Sequence, residues 1–231
     1  MTFKRPSVLC PLAGIFFAAN LLTAAHGAVP IVTLTPTDRG WTSDTQGRQV
    51  GNMNYLAGSS NQSSFRDWFV FDLSSLAGTA DTTQATLLLY LGSPNGTSSP
   101  QGVETFSLFD VSTAPGNLDV TGPSPLIYAD LGSGVSYGSA DITAGQMDSF
   151  VAITLNADGL AALNAAKGGQ FAIGGAVTTV DDPLREEYVF GFSFGPLSDS
   201  QLVLGPVPEC GSLTLAGLGG VLALSRRRRS L

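Results

Sequence analysis

The chain has 231 residues, room for one ordinary domain with short segments at its ends and too few for two full domains with linkers. Hydrophobic residues make up 43%, which supports a buried core and excludes wholesale disorder. Only 13% are charged, and Gly 28 and Pro 13 signal many turns and little long helix, a β-rich balance. The net charge of −7 is unevenly spread: six of the eleven basic residues are Lys4, Arg5, Arg226, Arg227, Arg228 and Arg229, at the two ends. Between Ala28 and Pro206 only Arg39, Arg48, Arg66, Lys167 and Arg185 face seventeen acidic residues, a balance of about −12 that disfavours binding to phosphate backbones. Nucleic acid is therefore not an expected partner. Cys10 and Cys210 lie near the ends and the single histidine, His26, lies early. The middle thus lacks the side chains of zinc sites, a Ser-His-Asp triad or a Cys-His pair.

From the start of the chain, residues 1–27 read as a secretory signal peptide. Lys4 and Arg5 give a charged beginning, Val8 to Leu22 an apolar stretch, and Ala25-His26-Gly27 the small residues read by a signal peptidase, with cleavage expected after Gly27. Cys10 does not suit a lipid anchor, because Ser7-Val8-Leu9 before it lacks the expected small pair.

The middle, residues 28–206, alternates short apolar or aromatic runs with turn residues. Strands are expected over Ile31–Thr35, Phe65–Asp72, Ala85–Leu91, Thr105–Val111, Phe150–Leu155, Gln170–Ile173, Tyr188–Phe194 and Gln201–Leu204. Pro94-Asn95-Gly96, Pro115-Gly116-Asn117, Gly122-Pro123 and Gly168-Gly169 separate them. One helix is expected, capped by Asn156 or Asp158, with Leu160, Leu163 and Ala166 on one face and Gly168-Gly169 at its end. This pattern predicts an all-β fold, a two-sheet jelly-roll sandwich with one short helix. In the run from Phe65, alternation sends Phe65, Phe69 and Phe71 one way and Trp68 and Val70 the other. Arg66 and Asp67 are expected at the rim, pairing with neighbouring strands. Asp72 is placed to accept backbone N–H groups of the Leu73-Ser74-Ser75 turn.

Candidate binding residues follow from chemistry. Sugar recognition on β-sandwiches uses exposed aromatic faces framed by Asp, Asn and Arg hydrogen bonds. Trp41, between Gly40 and Thr42 in an expected loop, is the first candidate, with Asp38, Arg66, Tyr128 and Tyr137; Trp68, flanked by apolar residues, is expected in the core. A structural calcium ion is the other ligand considered, with Asp38 and Asp44, or Asp181, Asp182 and Glu186, as oxygen donors. Between Ala28 and Pro206 the only glutamates are Glu104, Glu186 and Glu187, and no catalytic set stands out. The expectation is a non-enzymatic protein, with a polysaccharide lyase or hydrolase as the rival.

The last 25 residues, 207–231, carry the sharpest pattern. Val207-Pro208-Glu209-Cys210 precedes a Gly/Leu-rich apolar run over 211–225, then Arg226, Arg227, Arg228 and Arg229. About 15 residues make a helix of roughly 22 Å, short for a hydrocarbon core of about 30 Å. The arginine cluster is a stop signal that stays on the cytoplasmic side, so both ends agree that the middle is exported.

This tail resembles the PEP-CTERM sorting signal, with Val207, Pro208 and Glu209 matching the motif, Cys210 standing where a proline is usual, and the span and basic cluster in order. The resemblance implies processing by an exosortase in the inner membrane of a bacterium that makes exopolysaccharide. Arg66 to Leu76 followed by Ala85 to Tyr90 resembles the core of the carbohydrate-binding-module-like jelly rolls of the DNRLRE-type group, in which Asp38 matches an early aspartate. Together they imply a cell-surface or matrix protein whose partners are signal peptidase, exosortase and extracellular polysaccharide.

Overall fold

The protein is described by a computed structural model over residues 31–45, 50–191 and 195–205. The expected signal peptide (1–27) lies outside the described residues. So does the expected sorting tail (207–231): its motif Val207, Pro208, Glu209 and Cys210, its span 211–225, and its basic stop signal Arg226, Arg227, Arg228 and Arg229. Among the described residues, no helix is long and apolar enough to cross a membrane.

The fold is all-β with two sheets. In chain order the strands are β1 (Val32–Leu34), β2 (Asp38–Ser43), β3 (Ala57–Ser60), β4 (Ser63–Asp72), β5 (Ala85–Leu91), β6 (Thr97–Ser98), β7 (Glu104–Phe109), β8 (Ser136–Ile142), β9 (Ser149–Thr154), β10 (Gln170–Val177), β11 (Glu187–Val189) and β12 (Ser200–Leu204). Two helices interrupt them, α1 (Pro125–Asp130) and α2 (Ala157–Ala165). The smaller sheet runs β1-β12-β5-β9, antiparallel throughout. The larger, curled sheet holds β2, β3, β4, β6, β7, β8, β10 and β11 around the ten-residue β4. On one edge of β4, β2 pairs from Phe65 to Val70; β3 and β10 share the other edge, β3 at Ser63–Phe65 and β10 at Asp67–Asp72.

The core follows from side-chain alternation. Phe69 and Phe71 of β4, Phe106 and Leu108 of β7 and Ile173 of β10 face Leu87, Leu89 and Leu91 of β5, Ile153 of β9 and Leu202 of β12. Each such buried side chain contributes about 1.5–3 kcal/mol relative to exposure. The opposite parity of β4, Trp68 and Val70, lies in a second apolar cluster with Leu118, Ile127 and Leu131. Leu131 and Ile127 come from α1 and its C-cap, so α1 covers the outer side of the larger sheet.

The expected strands appear with shifted ends, β5 with none. The expected helix is α2, where the Asn156 side chain accepts the Gly159 N–H at 2.9 Å and Leu163 is buried. Asp72 accepts the Ser74 N–H at 2.8 Å, as its position in the turn suggested. Beyond the strands β3, β6 and β8, which were not expected, four features differ from expectation. Trp41 is in β2, not a loop, because β4 is long enough to pair a strand on each edge. Asp67 is fully buried instead of at the rim. The helix α1 was not foreseen; its six residues, opened by Pro125, are too few to display a period. The strand expected over Tyr188–Phe194 stops at Val189, where Phe190 takes φ +59°, and residues 192–194 lie outside the described residues.

Candidate functional site

The ladder between β2 and β4 decides which candidate residues can meet. Partners directly across an antiparallel pair project to the same side. Asp38 is opposite Val70, Thr42 opposite Arg66, and Gly40 opposite Trp68, all on the side covered by α1. Arg39 is opposite Phe69 and Trp41 opposite Asp67, on the core side. Trp41 and Arg66 therefore belong to opposite faces of one sheet.

On the α1 side, Arg66 and Tyr128 are brought together. The Arg66 guanidinium lies 4.2 Å from the Tyr128 ring centroid, and Nη1 donates to the carbonyls of Tyr128 at 2.6 Å and Ala129 at 3.1 Å. Cations near a helix C-terminus satisfy its free carbonyls and oppose its dipole. Arg66 thus pins α1 to β4 while Tyr128 shields its charge. Asp38 is at the start of β2, half-buried, its Oδ1 accepting the Arg39 N–H at 2.9 Å.

On the core side Trp41 is half-buried and meets Phe65 edge to face, with centroids 5.3 Å apart. Beside it lies a polar group that carries no pattern in the sequence. Arg39, 1% exposed, donates from Nε to Met53 O (2.8 Å), from Nη1 to Ser200 Oγ (2.9 Å) and from Nη2 to Gly195 O (2.7 Å), and stands 4.8 Å over the Tyr55 ring. Asp67, wholly buried, accepts the Leu56 N–H at 2.5 Å through Oδ1, while Oδ2 has no partner. Desolvation pushes the Asp67 carboxyl well above the usual range; the Leu56 N–H and the Arg39 charge offset part of this. Burial likewise lowers the Arg39 pKa, against the opposing influence of Tyr55, Asp199 and Asp67. This arrangement joins loops to both sheets.

Tyr137, the remaining aromatic candidate, is 7% exposed and stacks on Phe171 at 6.1 Å in the main core. It offers no ring face to a ligand. Gly159 packs against this ring, a detail set by tertiary contact and invisible in sequence.

The calcium candidates are distributed among local hydrogen bonds. Asp44 Oδ1 accepts the Ser64 N–H at 3.0 Å. Asp182 accepts the Leu184 N–H and pairs with Arg185 at 3.2 Å. Glu186 accepts from Ser60 Oγ (2.7 Å) and Asn61 N–H (2.8 Å), clamping the β3–β4 hairpin. The exposed Asp181 carboxyl, beside Glu187 and the Gln101 amide, is held below the usual range. Two glutamates passed over as ligands, Glu104 and Glu187, are fully buried. Glu104 takes the Thr179 hydroxyl, and Glu187 takes the Asp181 N–H at 2.9 Å. Among the described residues, no group of three or more His, Cys, Asp or Glu side chains is gathered for a metal ion.

A cleft of about 370 Å³ lies where the described chain begins and ends, lined by Val32, Leu76, Ala80, Thr82, Leu204 and Gly205 among others. Among known proteins, no family model matches this sequence, and no curated protein does.

Proposed function

We propose that the chain is an exported, non-enzymatic surface or matrix protein, whose β-domain binds or structures extracellular polysaccharide and whose tail is read by an exosortase. In this reading residues 1–27 are removed by signal peptidase. Residues 207–231 hold the protein at the inner membrane until sorting, through the span 211–225 and the stop signal Arg226, Arg227, Arg228 and Arg229. The domain between them is a jelly roll. The observation that supports the reading is the pairing of β1 with β12, in which Val32 stands opposite Leu204. The described domain thus starts and finishes at the same place on one sheet. Phe69, Leu89 and the rest of the core assemble from residues between these two strands and from the strands themselves. A domain so arranged tolerates cleavage on either side, because neither cut falls within a described strand.

Mass spectrometry of the mature protein from its host tests the reading. The expected species begins within a few residues of Ala28 and lacks all four arginines from Arg226 to Arg229. An intact arginine end on the mature protein overturns tail processing.

A further inference from the structure

The smaller sheet turns one face to the core and the other outward. Leu87, Leu89 and Leu91 of β5, Val151 and Ile153 of β9, and Leu202 and Leu204 of β12 are buried. Alternation therefore sends Thr86, Leu88, Tyr90, Phe150, Ala152, Gln201 and Val203 to the opposite face, where Thr86 and Val203 are buried and the exposed part lies toward Phe150 and Ala152. The register sets Tyr90 beside Phe150 and forms the adjoining row Gln201–Leu88–Ala152. The two rings meet edge to face, with centroids 5.5 Å apart, and Phe150 is 44% exposed.

The edge of this aromatic pair is acidic. Asp148, exposed and held at φ +59°, accepts from Ser93 Oγ (2.9 Å), the Ser93 N–H (3.2 Å) and the Tyr90 hydroxyl (3.4 Å). These bonds fix the carboxylate beside the rings. Desolvation first, and then the nearby Asp148 carboxylate, raise the Tyr90 pKa. The described cations are engaged elsewhere: Arg39 in the core, Arg66 on α1, Lys167 on Ala80 O and Arg185 on Asp182.

Exposed aromatic faces take the C–H faces of sugar rings and attract cations through their quadrupoles. Neighbouring carboxylates, on a domain with an acidic excess of about 12 charges, repel uronate or sulfate polymers and attract ammonium groups. We infer that the exposed part of this face, centred on Tyr90 and Phe150 with Asp148 at its edge, binds amino-sugar polymers bearing free ammonium groups. The inference rests on the proposed polysaccharide-binding function and narrows it to one polymer class and one surface. N-acetylation of the sugar removes the charge that the acidic edge recognises.

Calorimetric titration of the full chain with a glucosamine hexamer and with an N-acetylglucosamine hexamer tests it. The parent is expected to bind the glucosamine hexamer about tenfold more tightly, with affinity falling as salt rises. Phe150→Ala and Ala152→Lys, both at exposed positions, are each expected to weaken that binding roughly tenfold with an unchanged melting temperature. Equal or tighter binding of the N-acetylated hexamer overturns the ammonium assignment and leaves polysaccharide binding standing. Glucosamine binding untouched by both substitutions overturns the surface. Absence of binding to either hexamer overturns the whole inference, and retention of the protein on its host's own polymer then reports separately on the broader function.

Discussion

Asp67 stands directly opposite Trp41 in the β2–β4 ladder, the carboxylate fully buried and the indole beside it half-buried. A carboxylate in that position is forced toward its neutral form, because one of its oxygens has no donor and water is excluded. Its folded-state pKa is raised. Asp67 therefore contributes stability that is fully present below the ordinary aspartate range and is lost as pH rises toward the raised value. Urea midpoints measured across that window should fall with rising pH. Asp67→Asn should flatten this dependence, leaving the variant no less stable than the parent at the upper end. A parent midpoint that climbs over the same window contradicts the assignment.

Arg39 is the counterpart on the same side of the sheet. Its three donors serve Met53 O, Gly195 O and Ser200 Oγ, so it joins the 50s loop and the segment before β12 to β2. Arg39→Met keeps much of the volume but leaves those three acceptors without donors. A loss of about 3–5 kcal/mol is expected in chemical denaturation, roughly 1–2 kcal/mol for each charge-assisted hydrogen bond removed. Arg39→Lys, which lacks the planar fork, should recover only part of it.

A different prediction concerns α1. Six residues cannot sustain a helix alone, and α1 is held by Ile127 and Leu131 in the outer cluster and by Arg66 at its C-terminal carbonyls. Arg66→Ala should cost about 1–2 kcal/mol, from lost packing on Tyr128 and lost charge-assisted hydrogen bonds. Amide exchange should accelerate in 125–131 while the β5 amides remain protected. Equal acceleration in both would show that Arg66 supports the whole domain.

The all-β class, the strong strands and α2 were legible because their signals are local. Alternation along Phe65 to Asp72 set the two faces of β4 correctly, and Asn156 with Gly168-Gly169 bracketed α2. Weak or polar strands escaped: β3 is Ala-Gly-Ser-Ser, and β8 buries only Tyr137 and Ile142, five residues apart among small or polar residues, so no alternation shows. Their strand state comes from partners distant in sequence, β11 and β7, not from their own propensity. The site was less legible for the same reason. Asp38, Trp41, Arg66, Tyr128 and Tyr137 are polar or aromatic in sequence, yet register places them on different faces and Tyr137 in the core. Tyr90 and Phe150 did carry a signal, since each occupies the parity opposite the buried leucines and isoleucine of its strand. That parity becomes meaningful only once β5 and β9 are known to be neighbours.

The sharpest backbone test is at Gly58. It pairs with Tyr188 in β11 at φ +112°, a conformation that side-chain-bearing residues avoid. An added Cβ would fall 2.2 Å from Glu187 O and 2.7 Å from Tyr188 Cα, both backbone atoms that cannot swing aside. The same contact seats Glu187 between Gln101 and the Asp181 N–H, so a shift of β11 would also disturb that buried carboxylate. Gly58→Ala should therefore destabilise by about 2–3 kcal/mol, more than the loss of conformational freedom alone could offset. Gly78→Ala is the control: it also has positive φ, +69°, but its Cβ position is open, so only backbone strain is added. Denaturation midpoints of the two variants separate strain from collision. Equal losses would mean that β11 gives way freely at Glu187, and that the β3–β11 ladder contributes little to the stability of the curled sheet.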